Sequence, residues 1–218
     1  MLATYPYTVG MVILIALAPL FSGEYARKTD ALLLSSQDGK KNLAYIKIMA
    51  GSIAALAVWG ILTLVNLLLV FTVFGTTGWE AFWQNWLVDV APFPWSQGQA
   101  TVAAALTSLL GVLFFAQIVM LISSMSKNQF VSLVIGAVLL LFPMIDFAFT
   151  NIGIMNALYN FLPSRMMMGM RIWQGYGLFY IAGYTFPCPY AAVAFAVLAS
   201  AAACPLTKRF FIRRQIGN

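Results

Sequence analysis

Few side chains in this sequence could carry out chemistry, and their types exclude most enzyme mechanisms. The chain has no histidine and only two cysteines, so His-based acid–base catalysis, serine–histidine hydrolysis and H-E-x-x-H zinc sites are excluded. On one helix, Cys188 and Cys204 would lie about 24 Å apart, whereas a disulfide needs Cα atoms within about 7 Å. We therefore predict no catalytic residue, no metal site and no cofactor.

A nucleotide-binding motif is also missing from the sequence. The one Gly-Lys step, Gly39-Lys40, is followed by Lys41 and has no glycine at the spacing that a P-loop requires. The chain is thus not expected to be an enzyme, and any ATP that drives it must be hydrolysed by another subunit.

The composition of the chain predicts membrane-spanning helices. Hydrophobic residues make up 62% of the chain and charged residues 8%, with a mean hydropathy of +0.88. A soluble domain could not bury this much apolar surface, and apolar runs of about twenty residues are the length of membrane helices, not of barrel strands. We predict an all-α polytopic membrane protein, a single domain over residues 1–218, with five transmembrane helices near 6–22, 48–74, 100–124, 130–149 and 189–206.

Basic residues predict the orientation. Two lie on one predicted side, Arg165 and Arg171. The other ten lie on the opposite side: Arg27, Lys28, Lys40, Lys41, Lys47, Lys127, Lys208, Arg209, Arg213 and Arg214. Because cytoplasmic loops accumulate Lys and Arg, we expect a multi-pass protein of the cell membrane with a cytoplasmic C-terminus. Anionic headgroups also account for the net charge of +6 without a nucleic-acid partner.

Polar residues within the predicted spans are sparse. Asn66 and Gln117 are the largest of them, and interhelical hydrogen bonding is the favoured interpretation over contact with a substrate in a translocation path. Secondary transporters and ion pumps usually bury charged residues at mid-membrane, so this inventory favours an apolar or amphipathic cargo over a small ion.

Residues 23–47 form the predicted cytoplasmic loop with the most specific pattern. Read as a helix, Tyr25, Thr29, Leu32 and Leu33 share one face. From this pattern alone, a helix that rests at the headgroups is as good an interpretation as one that docks on a partner.

The order of residues in this loop resembles that of ABC-2 type permeases. The series is Glu24, Thr29, Leu32-Leu33, Ser35, Lys40-Lys41 and Lys47. The resemblance implies a coupling helix that docks on an ABC nucleotide-binding ATPase subunit, and it assigns this contact to Glu24, Arg27, Lys28, Thr29, Leu32 and Leu33. It also implies a second permease chain, in a homodimer or a heterodimer.

The later part of the chain is similar to the same family. A Ser-Met-Ser-Lys-Asn-Gln turn, the Leu162-Pro163-Ser164 step and the basic end of the last helix carry the resemblance. It implies short re-entrant helices on the outer side, within residues 150–187.

One departure from the family concerns helix number. Such permeases usually have six membrane helices, so the resemblance implies that the first is missing here. We then expect small residues of the first two spans to face an empty groove: Gly10, Ala16, Gly51, Ala54 and Ala55. The predicted function is the membrane-spanning permease of an ABC exporter, and the alternative is a non-transporting scaffold or immunity-type module with a permease-like fold.

Overall fold

A computed structural model describes residues 5–27, 39–83, 93–142, 159–174, 178–181 and 183–216. Its helices are α1 (Tyr5–Leu17), α2 (Pro19–Arg27), α3 (Gly39–Phe74), α4 (Gln97–Met125), α5 (Gln129–Leu141), α6 (Pro163–Met167), α7 (Met170–Trp173) and α8 (Cys188–Ile216). Strands β1 (Leu178–Ile181) and β2 (Tyr184–Pro187) lie between α7 and α8.

Four stretches of helix are long and apolar enough to cross a membrane. They are Tyr5–Gly23, Asn42–Phe74, Gln97–Met125 and Cys188–Arg213. These correspond to four of the five predicted spans and indicate a membrane-embedded, mostly helical protein. The remaining predicted span begins in α5, a 13-residue apolar helix, and its residues 143–149 lie outside the described part of the chain.

Helix α4 is the centre of the bundle, and α1, α3, α5, α6 and α8 pack on it. It begins at a capping box, in which the Ser96 side chain accepts from the Gln99 backbone and the Gln99 side chain accepts from the Ser96 backbone. Val112, Phe115, Ala116, Val119 and Met120 from α4 join the main core. The helix is therefore buried on several sides, which explains why its sequence has no polar face.

Helices α1 and α2 form one interrupted span. Pro19 opens α2, and because proline has no N–H the hydrogen-bond ladder is broken there. Val9, Ile13, Leu14 and Leu17 bury one side of α1 in the main core.

Small residues of the first two spans pack within the chain itself. A Cβ added to Gly10 would clash with Leu140 of α5. One added to Gly51 would lie 2.6 Å from the Met120 sulfur, and Ala55 is 1% exposed. The expectation of an empty groove is wrong for these three residues. Helix α5 fills the space beside Gly10, α4 and the first span fill the space beside Gly51, and Ala55 is buried in the main core. Ala16 and Ala54 are exposed, as expected.

The segment before α8 departs from the all-α prediction. Short helices α6 and α7 are present, but β1 and β2 form an antiparallel hairpin with Leu178 opposite Pro187 and Ile181 opposite Tyr184. Gly183 has a φ of +89°, which the turn of the hairpin requires and glycine tolerates. The resemblance implies only short helices within residues 150–187, whereas the aromatic and β-branched residues around Gly183 favour strands.

Candidate functional site

The bundle has two chemically different ends. The loop end adjoins residues 28–38 and is lined by Ser22, Lys47, Ser123 and Phe211. The hairpin end adjoins β1 and β2 and holds an aromatic cluster of Trp83, Phe93, Trp95, Trp173 and Tyr190. In the predicted orientation, the loop end is cytoplasmic.

At the loop end, Lys47 connects three helices. Its Nζ donates to the Leu20 carbonyl oxygen at 3.2 Å and lies 5.3 Å and 5.4 Å from the ring centroids of Phe21 and Phe211. Those two rings pack edge to face at 5.2 Å. A cation between partly desolvated rings is worth roughly 1–2 kcal/mol. Lys47 thus joins α2, α3 and α8 next to the loop for which coupling is predicted.

Ser123 secures the start of α2 to the central helix. Its Oγ accepts from the backbone N–H groups of Phe21 and Ser22, both at 3.1 Å, and donates to the Ala18 carbonyl oxygen at 2.7 Å. The first amides of a helix have no partner within the helix. A side chain from α4 therefore caps α2, and this pattern cannot be found in the sequence because the two sites are 101 residues apart.

We expect Ser123→Ala to lower the free energy of unfolding by about 1–2 kcal/mol, the usual effect of losing a helix cap. Thermal unfolding in detergent measures it. Ser124→Ala is the matched control, because Ser124 Oγ donates only locally among the described contacts, to the Leu121 carbonyl oxygen. Equal effects of the two substitutions would contradict the capping role.

Two of the six predicted coupling residues lie in α2, and the other four lie outside the described residues. Glu24 and Arg27 lie in α2, directly after the Ser123-capped turn, and their side chains are outside the description. Lys28, Thr29, Leu32 and Leu33 fall within residues 28–38, which are also outside it. The helices on both sides of residues 28–38 are held to the bundle, α2 through Ser22 and α3 through Lys47.

A polar seam between α3 and its neighbours contains Gln117 and Asn66. Gln117 Nε2 donates to Ser52 Oγ at 2.9 Å, and Trp59 Nε1 donates to Ser108 Oγ at 3.2 Å. Tyr5 and Thr63 share a hydrogen bond between their hydroxyl groups. These contacts tie α3 to α4 and α1 at three depths.

Two amide oxygens of the seam are buried without a hydrogen-bond partner among the described residues, Asn66 Oδ1 and Gln117 Oε1. Asn66 is 5% exposed. Buried polar groups without a partner are costly, and they attract water or a polar ligand group. The unpartnered oxygens of Asn66 and Gln117 are therefore compatible with both interpretations, interhelical hydrogen bonding and contact with a substrate.

Helix α6 lies at the middle of the bundle. A Cβ added to Gly111, the central residue of α4, would lie 2.6 Å from the Met167 backbone nitrogen. At 1.5 Å per residue, this contact is about 21 Å from either end of α4. Ser164 Oγ donates to the Leu139 carbonyl oxygen of α5 at 2.9 Å. Helix α6 therefore lies inside the bundle, beside the middle of α4.

Arg165 is carried to that position by α6. Its guanidinium carbon lies 5.0 Å from the Tyr159 ring centroid, and its Nη1 lies 3.8 Å from the Met168 sulfur. Short helices that enter the bundle from the outer side are predicted within residues 150–187, and Arg165 lies on one short helix that packs against the centre of α4.

No family model, curated protein or solved structure matches this chain. The ABC-2 resemblance thus rests on the residue series in the sequence alone.

Proposed function

We propose that this chain is the membrane-spanning permease subunit of an ABC exporter, driven by a separate ATPase subunit. The observation that supports this best is the construction of the loop end. Residues 28–38 leave from a capped helix, α2, and the chain returns through α3, where Lys47 contacts α2 and α8. Force applied to the loop would reach three helices of the bundle directly.

A segment of short, interrupted helices packed inside the bundle gives the second support. Non-helical backbone at membrane depth occurs only where it is packed in protein or lines an aqueous cavity. The turn from α6 to α7, with Gly169 at a φ of +51° beside the Ala104 carbonyl, is packed against α4. Interrupted helices at mid-depth are typical of transporters, and Arg165 on α6 gives this one a charge that a scaffold would not need.

The proposal includes the partners and the cargo. Two permease chains, identical or different, would form the path, and the loops of both would dock on ATPase subunits in the cytoplasm. The cargo would be apolar or amphipathic, because the described part of the spans carries few charged side chains. The non-transporting scaffold is the competing function, and no observation on the described residues favours it.

Native mass spectrometry of the tagged chain, extracted in mild detergent from its own membranes, tests this function. We expect a complex with a second permease chain and with two copies of a chain that contains a G-x-x-x-x-G-K-[ST] motif. Addition of ATP with vanadate should retain this complex. A chain that is recovered without any P-loop subunit, from membranes in which it is intact, would contradict the proposal.

A further inference from the structure

The β1–β2 hairpin has no polar face. Leu178 and Pro187 form one cross-strand pair, and Tyr180 and Thr185 form the next on the same side of the ribbon. The opposite side carries the pairs Phe179–Phe186 and Ile181–Tyr184. A two-stranded ribbon in water normally turns polar residues to at least one face and is at best marginally stable.

Exposure shows that the bundle leaves at least three side chains of the hairpin uncovered. Leu178 is 67% exposed, Tyr180 75% and Tyr184 71%. Moreover, the sequence from Ile172 to Thr207 contains no charged residue. Soluble hairpins with exposed edges usually carry Lys or other charges that prevent aggregation, and this one has none.

The position of the hairpin indicates what covers it. Strand β2 ends at Pro187 and the membrane-spanning stretch Cys188–Arg213 begins at the next residue. The exposed apolar surface continues onto α8 through Tyr190 and Leu198. Hairpin and helix therefore present one continuous apolar surface, part of which must face lipid.

We infer that the hairpin lies in the bilayer interface, with its aromatic side chains inserted at the boundary between headgroups and acyl chains. Tyrosine has an apolar ring and a hydroxyl that can reach water, which is why it is enriched at this level of the membrane. Lipid would remove Leu178 and Tyr184 from water, and the hydroxyl groups of Tyr180 and Tyr184 would bond to headgroups. This surface is thus an interfacial anchor at the start of α8, independent of any ATPase partner.

Site-directed spin labelling in phosphatidylcholine vesicles tests this inference. Single cysteines at Tyr180 and Tyr184, in a Cys188→Ala, Cys204→Ala background, would carry the nitroxide. Collision rates with oxygen, which concentrates in lipid, and with a nickel chelate, which stays in water, give the depth. Leu198→Cys serves as the acyl-chain reference, and Thr77→Cys, exposed in the turn after α3, serves as the aqueous reference.

We expect labels 180 and 184 to be several-fold more accessible to oxygen than to nickel, at a depth of about 5–10 Å below the phosphates, as for other interfacial elements. Nickel accessibility equal to that at residue 77 would place the hairpin in water and overturn the inference. Low accessibility to both reagents, with dipolar broadening that increases with protein density, would identify a second chain as the cover and would overturn it equally.

Discussion

Gly111→Ala is expected to destabilise the protein by about 1–3 kcal/mol, although alanine is the better helix former by about 1 kcal/mol. The new Cβ would lie 2.6 Å from the Met167 nitrogen and 2.8 Å from the Met166 carbonyl carbon. Both are backbone atoms, which cannot rotate away as a side chain can. Helix α6 must therefore move off α4, and amide hydrogen exchange at Met166 and Met167 should accelerate together with a lower melting temperature.

Gly60→Ala is the matched control for this substitution. Gly60 is also within a long helix, α3, but a Cβ added there meets no atom within 4 Å. Helix propensity alone then acts, and we expect no loss of stability or a gain of up to about 1 kcal/mol. The two variants should thus differ in sign. If both changed the melting temperature in the same direction by the same amount, the mid-depth position of α6 would be wrong.

Leu32→Asp and Leu33→Asp should uncouple the proposed ATPase partner. Docking surfaces depend on a few buried apolar anchors, each worth roughly 2 kcal/mol or more, which corresponds to about a thirtyfold loss of affinity. We expect substrate-stimulated ATP hydrolysis by the complex in proteoliposomes to fall to the basal rate. Membrane insertion should not change, because the loop lies outside the predicted spans.

The neighbouring Leu34→Asp provides the control for the coupling prediction. At 100° per residue, position 34 is on the side of the predicted helix opposite Tyr25, Thr29, Leu32 and Leu33. It adds the same charge to the same loop without removing a predicted anchor. Full stimulation in the Leu34 variant and its loss in the other two is the expected pattern. Retained stimulation in the Leu32 and Leu33 variants would contradict the docking role.

The spans were predictable because length and hydropathy are properties of the local sequence. Four of the five predicted runs lie in helices that are long and apolar enough to cross a bilayer. A helix needs about twenty residues to cross a membrane, and a continuous apolar run of that length predicts such a helix. The same reasoning could not show that Gly10 packs on Leu140, because the sequence does not state which helices are neighbours.

Depth within the bundle was the main feature that the sequence could not show. The short apolar segment around Arg165 was predicted to form re-entrant helices, but its length and composition do not state how far such helices enter the bundle. Its true depth depends on the fit between the backbone of Met166–Met167 and Gly111, one of the 16 glycines of the chain. The hairpin was missed for a related reason, since its residues are apolar on both faces and lack the alternation that identifies a strand.

Photo-crosslinking from residues 28–38 tests most directly whether this chain docks on an ATPase subunit. Benzoyl-phenylalanine at Leu32 should, on irradiation of intact cells, link this chain to a subunit that contains a P-loop, as identified by mass spectrometry. The same probe at Thr77, in the turn after α3 at the opposite end of the bundle, should give no such product. Crosslinks from residue 32 to lipid alone, in cells where the chain is inserted and intact, would contradict the proposed docking of the loop on an ATPase.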